Sequence, residues 1–155
     1  MALGTILPFW PALLFTYLEP LALIMGWNAA WNSPSEFVSR QTPSPSLSTT
    51  VPDGALILSY TIGNVFILLG ALAIVCTAIT RDPRVAKSYL LVVSIADLGH
   101  IYASYKILGP SVFWKFNDYN DMMWGNIGVS AFLHINRIAT LLGVFGQLDE
   151  QHRGV

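Results

Sequence analysis

The sequence predicts an all-α integral membrane bundle of four transmembrane helices, and three observations carry that expectation. Of the 155 residues, 54% are hydrophobic and only 11% are charged, too little polar surface for an ordinary water-soluble domain. The apolar residues fall into four runs of about 20 residues, the length an α-helix needs to cross roughly 30 Å of hydrocarbon. Between the runs lie stretches rich in Pro, Gly and polar residues, which break helices. Four spans and their loops use nearly the whole chain, so 1–155 is expected to be a single transmembrane domain without a separate soluble catalytic unit.

The first span is expected over about residues 7–27. Pro8 and Pro11 fall in its opening turns, where a missing amide donor matters least. Residues 1–18 carry no charge, and no small-residue cleavage site follows Glu19-Pro20, so the segment reads as a retained span rather than a signal peptide. Pro20 lies inside this helix and should free the carbonyl of Thr16, with a kink beside Glu19. Trp27 and Trp31 look like interface anchors. Residues 32–54, with Pro34, Pro43, Pro45 and Pro52, show no helical period and are expected to form an extended, exposed loop.

The second span, about 55–80, is interrupted by polar Tyr60 and Asn64. Thr80-Arg81-Asp82-Pro83-Arg84 is a tight turn, so the third span, about 86–108, should return antiparallel to the second. Gly109-Pro110 ends it. The stretch from Phe113 to Trp124 mixes aromatics with Lys115, Asp118 and Asp121, as an interfacial loop would. The fourth span is expected over about 126–145, leaving a charged tail with Asp149, Glu150, His152 and Arg153. Arg81, Arg84 and Lys87 cluster at the short turn. Cytoplasmic loops carry the excess of Lys and Arg, so both termini are expected in the cytosol.

Counting inward from the helix ends places Glu19, Asn64, Asp97, His100, His134 and Arg137 in one layer, roughly 13 to 21 Å from the cytosolic boundary. A charged residue at the centre of a spanning helix costs about 2.5 to 3.5 kcal/mol on insertion scales, so Glu19, Asp97 and Arg137 cannot face lipid singly. Asp97 and His100 are three apart, as are His134 and Arg137, so each pair shares a helix face that must point inward. Arg137 stays protonated and requires a carboxylate, and only Glu19 and Asp97 lie at its depth. One acid is expected as its counterion, leaving the other free to work with an imidazole as an acid and base pair.

The catalytic candidates are therefore Glu19, Asp97, His100 and Arg137. Tyr60, Asn64, Tyr102, Trp124, Asn126 and His134 are candidates for substrate contact, the aromatics because their faces can stabilise a cation where water is excluded. The competing expectation is structural, since polar side chains also bond helices together inside membranes. Lys106, near a helix end, should snorkel. Gly70, Ala71 and Ala73 permit close helix contact.

The segments Phe15-Thr16-Tyr17-Leu18-Glu19-Pro20, Asp97-Leu98-Gly99-His100 and Trp124-Gly125-Asn126, followed by Arg137 and Gly143, resemble an uncharacterised family of small fungal four-helix integral membrane proteins over nearly the whole chain. That resemblance implies the architecture and marks the same residues. Membership among fungi implies a role in specialised metabolism. A looser likeness is to the emopamil-binding and sterol-isomerase superfamily, small proteins of the endoplasmic reticulum whose inward acids and aromatics handle a sterol carbocation. Fungal membrane-embedded terpene cyclases, with paired acids and no metal, are similar in the same loose sense. This chain has fewer spans than either, and no catalytic position is carried over from them.

Together these readings lead to an expected isomerase or cyclase, membrane-embedded and metal-independent, acting on a lipophilic terpenoid, sterol or polyketide. Asp97 or Glu19 would protonate the substrate, His100 would relay the proton and Arg137 would hold the remaining carboxylate. The alternatives are a ligand-binding or transport protein, which with four spans would need to form a homodimer, and an assembly subunit whose buried charges are an ion-pair network. No cofactor is expected, and no recognised metal-ligand spacing occurs. Eight scattered Lys and Arg against nine Asp and Glu offer no basic stripe to nucleic acid. The single Cys76 excludes an internal disulfide.

Overall fold

A computed structural model describes residues 3–43 and 50–148. The regular structure of the described residues is all helix, without strands. Six helices are present rather than four: α1 (Phe9–Asn32), α2 (Pro34–Ser39), α3 (Asp53–Ile79), α4 (Pro83–Leu108), α5 (Pro110–Phe113) and α6 (121–141). Three of them, α1, α3 and α4, are long and apolar enough to cross a membrane. The fourth expected span, α6, does not join that set, because Asp121, Asn126, His134, Asn136 and Arg137 dilute its apolar run.

Local chemistry sets the ends. Asp82 caps α4 by accepting from the Arg84 amide at 2.9 Å, and Pro83 opens the first turn. Gly109, at φ 69°, closes the same helix in a conformation that only glycine adopts freely, and Pro110 follows it. Asn120 caps α6 by accepting from the Met123 amide at 2.9 Å. The expected loop 32–54 is corrected in part: α2 lies within it, starting at Pro34 and burying Phe37, whose ring meets Phe66 at 6.4 Å. Residues 44–49 of that loop, and the charged tail 149–155, lie outside the described residues. The expected interfacial loop is also shorter than predicted, being taken up by α5, a 3-10 turn over Phe116–Asp118 and the first turn of α6.

Three of the helices contain π-helical turns: Leu13–Leu18 in α1, Val75–Ile79 in α3 and Trp124–Gly128 in α6. Such turns carry one extra residue, shift the helix face and often occur at functional sites. The turn in α1 ends at Leu18, immediately before Glu19-Pro20, with the Glu19 amide donating to the Leu14 carbonyl. The irregularity expected at Pro20 thus takes the form of a widened turn. Two of the turns face each other, and Thr16 and Thr77 share a hydrogen bond of 2.8 Å between them.

Helix α1 packs along α3, and α4 along α6. Gly70 lies in the first contact, where an added Cβ would meet Leu23 at 3.9 Å and Pro20 at 4.0 Å, ordinary packing distances. Ala73 is buried as well, whereas Ala71 is exposed. Ile101, Tyr105 and Leu108 at the end of α4 pack on Met123 and Ile127 at the start of α6, so these two helices run antiparallel. The main apolar core lies at the opposite end of the bundle, beside the α3–α4 turn. There Ile6, Leu7, Leu14 and Phe15 meet Ala73, Ala86, Tyr89, Leu90 and Leu148. The ionisable side chains sit next to this core.

Candidate functional site

Arg137 is fully buried, at 0% exposure, and anchors the site. Its Nη2 donates to Oε1 of Glu19 on α1 and its Nη1 to Oδ2 of Asp97 on α4, so a single guanidinium joins three helices. The Phe15 ring lies 5.1 Å from its Cζ and covers its face, a contact that favours a desolvated cation. The expectation of one counterion and one free acid is therefore corrected: Arg137 engages both. Glu19 and Asp97 remain 7% and 11% exposed.

Helix geometry explains why an arginine serves here. Ser94 and His134 lie side by side across the α4–α6 contact. In antiparallel helices, Asp97 lies one turn beyond that level in one direction and Arg137 one turn beyond it in the other. Their Cα atoms are then about 9 Å apart along the axis. A long side chain leaning back toward the N-terminus of its helix spans that offset.

Three buried polar atoms in this cluster have no hydrogen-bond partner: Oε2 of Glu19, Nε of Arg137 and the hydroxyl of Tyr89. Tyr89 lies close enough to Glu19, Arg137 and Asp97 for their charges to act on it. Sequence reasoning passed it over, although it lies eight residues before Asp97 and so two turns along the same face of α4. Phe15, four residues before Glu19, was legible by the same spacing. Two carboxylates and one guanidinium sum to one net negative charge, so the cluster becomes neutral on holding one proton.

His100 does not join this group. It is exposed on α4 and reaches Asn126, whose Nδ2 in turn donates to Oε1 of Gln41 at 2.6 Å. That polar chain ties α4 and α6 to the segment after α2. His134 instead lies in the site's neighbourhood, bonded through Nδ1 to the hydroxyl and the carbonyl of Ser94, each at 2.9 Å.

The remaining candidates are dispersed. Asn64 is exposed and makes no hydrogen bond to the cluster, so α3 contributes nothing to the expected polar layer. Tyr60 packs edge-on against Trp31 at 5.1 Å, Tyr102 lies tilted against Tyr105 at 6.4 Å, and Trp124 lies tilted against Phe116 and edge-on against Tyr119. Trp124 belongs to a chain of rings running through Phe113, Trp114, Phe116 and Tyr119. The Tyr119 hydroxyl donates to the Phe113 carbonyl at 2.6 Å, and burial raises its pKa. Lys106 is exposed in the last turn of α4. Among the described residues, no group of three or more His, Cys, Asp or Glu is placed to hold a metal ion.

Residues 4–147 match a family described as a domain of unknown function (DUF7704), and the chain belongs to that family. No curated protein and no solved structure matches it. The match makes no connection to fungal, sterol-isomerase or terpene-cyclase proteins.

Proposed function

We propose that the chain is a membrane-embedded acid–base enzyme, an isomerase or cyclase for a lipophilic substrate such as a terpenoid, sterol or polyketide. In this reading α6 joins α1, α3 and α4 as a fourth membrane span. Both termini are cytosolic, the membrane is that of the endoplasmic reticulum, and the setting is fungal specialised metabolism. One observation carries the chemistry: a fully buried Arg137 holds two carboxylates, while Oε2 of Glu19 and the Tyr89 hydroxyl beside them lack partners.

Such a cluster is suited to carry one exchangeable proton. Arg137 keeps one carboxylate ionised, and the proton held by the other is available to an alkene, epoxide or carbonyl. Surrounding apolar side chains exclude water, so a cation formed on the substrate is not quenched and transferred charge is strongly felt. Tyr89 supplies a neutral hydroxyl to orient an oxygen on the substrate. A structural role has its own supporting observation, since both acids are already engaged by Arg137 and polar contacts of this kind join helices.

Solvent exchange separates the two. The protein, reconstituted in nanodiscs with lipid extract from its producing cells, is incubated in D2O. An acid–base isomerase transfers deuterium to carbon in at least one lipophilic species, which mass spectrometry detects. Glu19→Gln and Asp97→Asn should each lower that incorporation by about 100-fold or more, and Tyr89→Phe should lower it without loss of stability. A profile identical for wild type and the Glu19→Gln/Asp97→Asn double variant would leave the structural role standing.

A further inference from the structure

We infer that His134, not His100, is the imidazole of this site, held with its proton on Nδ1 and offering the lone pair of Nε2 as the base. The inference rests on the acid–base reading and assigns a second catalytic group within it. The carbonyl contact selects between the two tautomers, because the Ser94 hydroxyl can either donate to Nδ1 or accept from it, whereas the carbonyl only accepts. Nδ1 lies 2.9 Å from the Ser94 carbonyl oxygen and 2.9 Å from the Ser94 hydroxyl. A carbonyl oxygen has no hydrogen to give, so that contact is a hydrogen bond only when Nδ1 carries the proton. A neutral imidazole has one donor and one acceptor nitrogen, and the acceptor is then Nε2.

Position agrees with that role. His134 shares a face of α6 with Arg137, three residues on, and Ser94 shares a face of α4 with Asp97. The ring therefore sits at the level between the two charged residues, where an imidazolium formed on proton uptake would act on the Asp97 carboxylate. Of the charged groups, Asp97 on α4 is the one the ring acts on, and Arg137, on the ring's own helix, joins Asp97 to Glu19 of α1. His100 is exposed and turned toward Asn126.

An isomerisation then balances without a cofactor. A carboxyl O–H bond of the Glu19 and Asp97 pair breaks as a C–H bond forms on the substrate alkene. A neighbouring C–H bond breaks, its electron pair becomes the new double bond and its proton goes to Nε2. Transfer of that proton from the imidazolium to the carboxylate restores the starting state.

The test has two readouts on the full chain in nanodiscs. With 15N-labelled histidine, the His134 signals, identified by their loss in His134→Gln, should show a protonated Nδ1 and an unprotonated Nε2. In the D2O assay, His134→Gln should lower deuterium incorporation about 100-fold, while His100→Gln retains the wild-type rate. An Nε2-protonated His134 would overturn the inference, as would a His134→Gln protein that exchanges at the wild-type rate. Absence of exchange in the wild type would instead overturn the acid–base reading, and the relay with it, while the tautomer stands as measured by NMR.

Discussion

Two arginines in this protein make nearly the same bonds in opposite surroundings. Arg137 bridges Glu19 and Asp97 in the interior, and Arg40 bridges Glu36 and Asp121 on the surface. In each case one guanidinium holds two carboxylates from different helices. The interior side chains are 0%, 7% and 11% exposed, and the surface ones 32%, 62% and 76%. Bond counting makes the two clusters equal, but solvation separates them. Water and salt weaken the surface charges and take over their hydrogen bonds when a partner is lost, whereas nothing replaces a partner lost beside Arg137.

The largest test of this contrast is Arg137→Met, which leaves two carboxylates facing each other without a cation. We expect a loss of about 3 to 5 kcal/mol, the range for breaking a buried pair, read as unfolding in a detergent titration. Neutralising both acids in the same background, as Arg137→Met/Glu19→Gln/Asp97→Asn, should recover most of that loss, because no charge then remains buried. The rescued protein should still transfer no deuterium. An Arg137→Met protein as stable as wild type would mean that the interior cluster is solvated like the surface one, and the comparison would collapse.

Next in size is Asn120→Ala. Asn120 caps α6 through its Oδ1, and its Nδ2 donates to the carbonyls of Arg40 and Thr42 at 3.1 and 3.0 Å. Loss of an N-cap costs about 0.5 to 2 kcal/mol. Because Asn120 makes three bonds, the upper half of that range is expected in thermal unfolding, with increased protease cleavage after Arg40. Unchanged cleavage would show that the segment after α2 is held by the Arg40 ion pairs alone. Thr77→Val, which removes the bond between the two π-helical turns, should cost about 1 kcal/mol. A null result there would show that packing alone holds the turns together.

The same contrast shows what could be read from sequence. An ionisable residue in an apolar run must find a partner, so Glu19, Asp97 and Arg137 declared one another before any geometry was known. The ends of α4 were equally plain, because Asp82-Pro83 and Gly109-Pro110 are local signals. Helix α2 was not, since six residues are too few to show a period and its support is the distant Phe66. The start of α6 was missed for a related reason: Asn120 gains its importance from carbonyls some 80 residues away in the chain. His100 was misplaced because a spacing of three fixes a helix face only loosely. One turn beyond Asp97, the available partner on α6 is Asn126. Tyr89 lay on the right face, but phenols in membrane helices also serve as packing, and nothing in the sequence distinguished the two roles.

Arg40→Ala should have the smallest effect and is the control that gives the others meaning. The substitution removes both surface ion pairs, yet each freed carboxylate is more than half exposed and regains water. Exposed pairs contribute about 0 to 1 kcal/mol, so the thermal midpoint should move by little. Salt should then erase the difference: between about 0.05 and 0.5 M the screening length falls from above 10 Å to below 5 Å, and the gap between variant and wild type should close. The Arg137→Met loss, measured across the same salt range, should stay constant because ions do not reach that site. If Arg40→Ala instead destabilises as much as Arg137→Met and ignores salt, the two clusters are energetically alike. Exposure would then no longer set the interior cluster apart from the surface one.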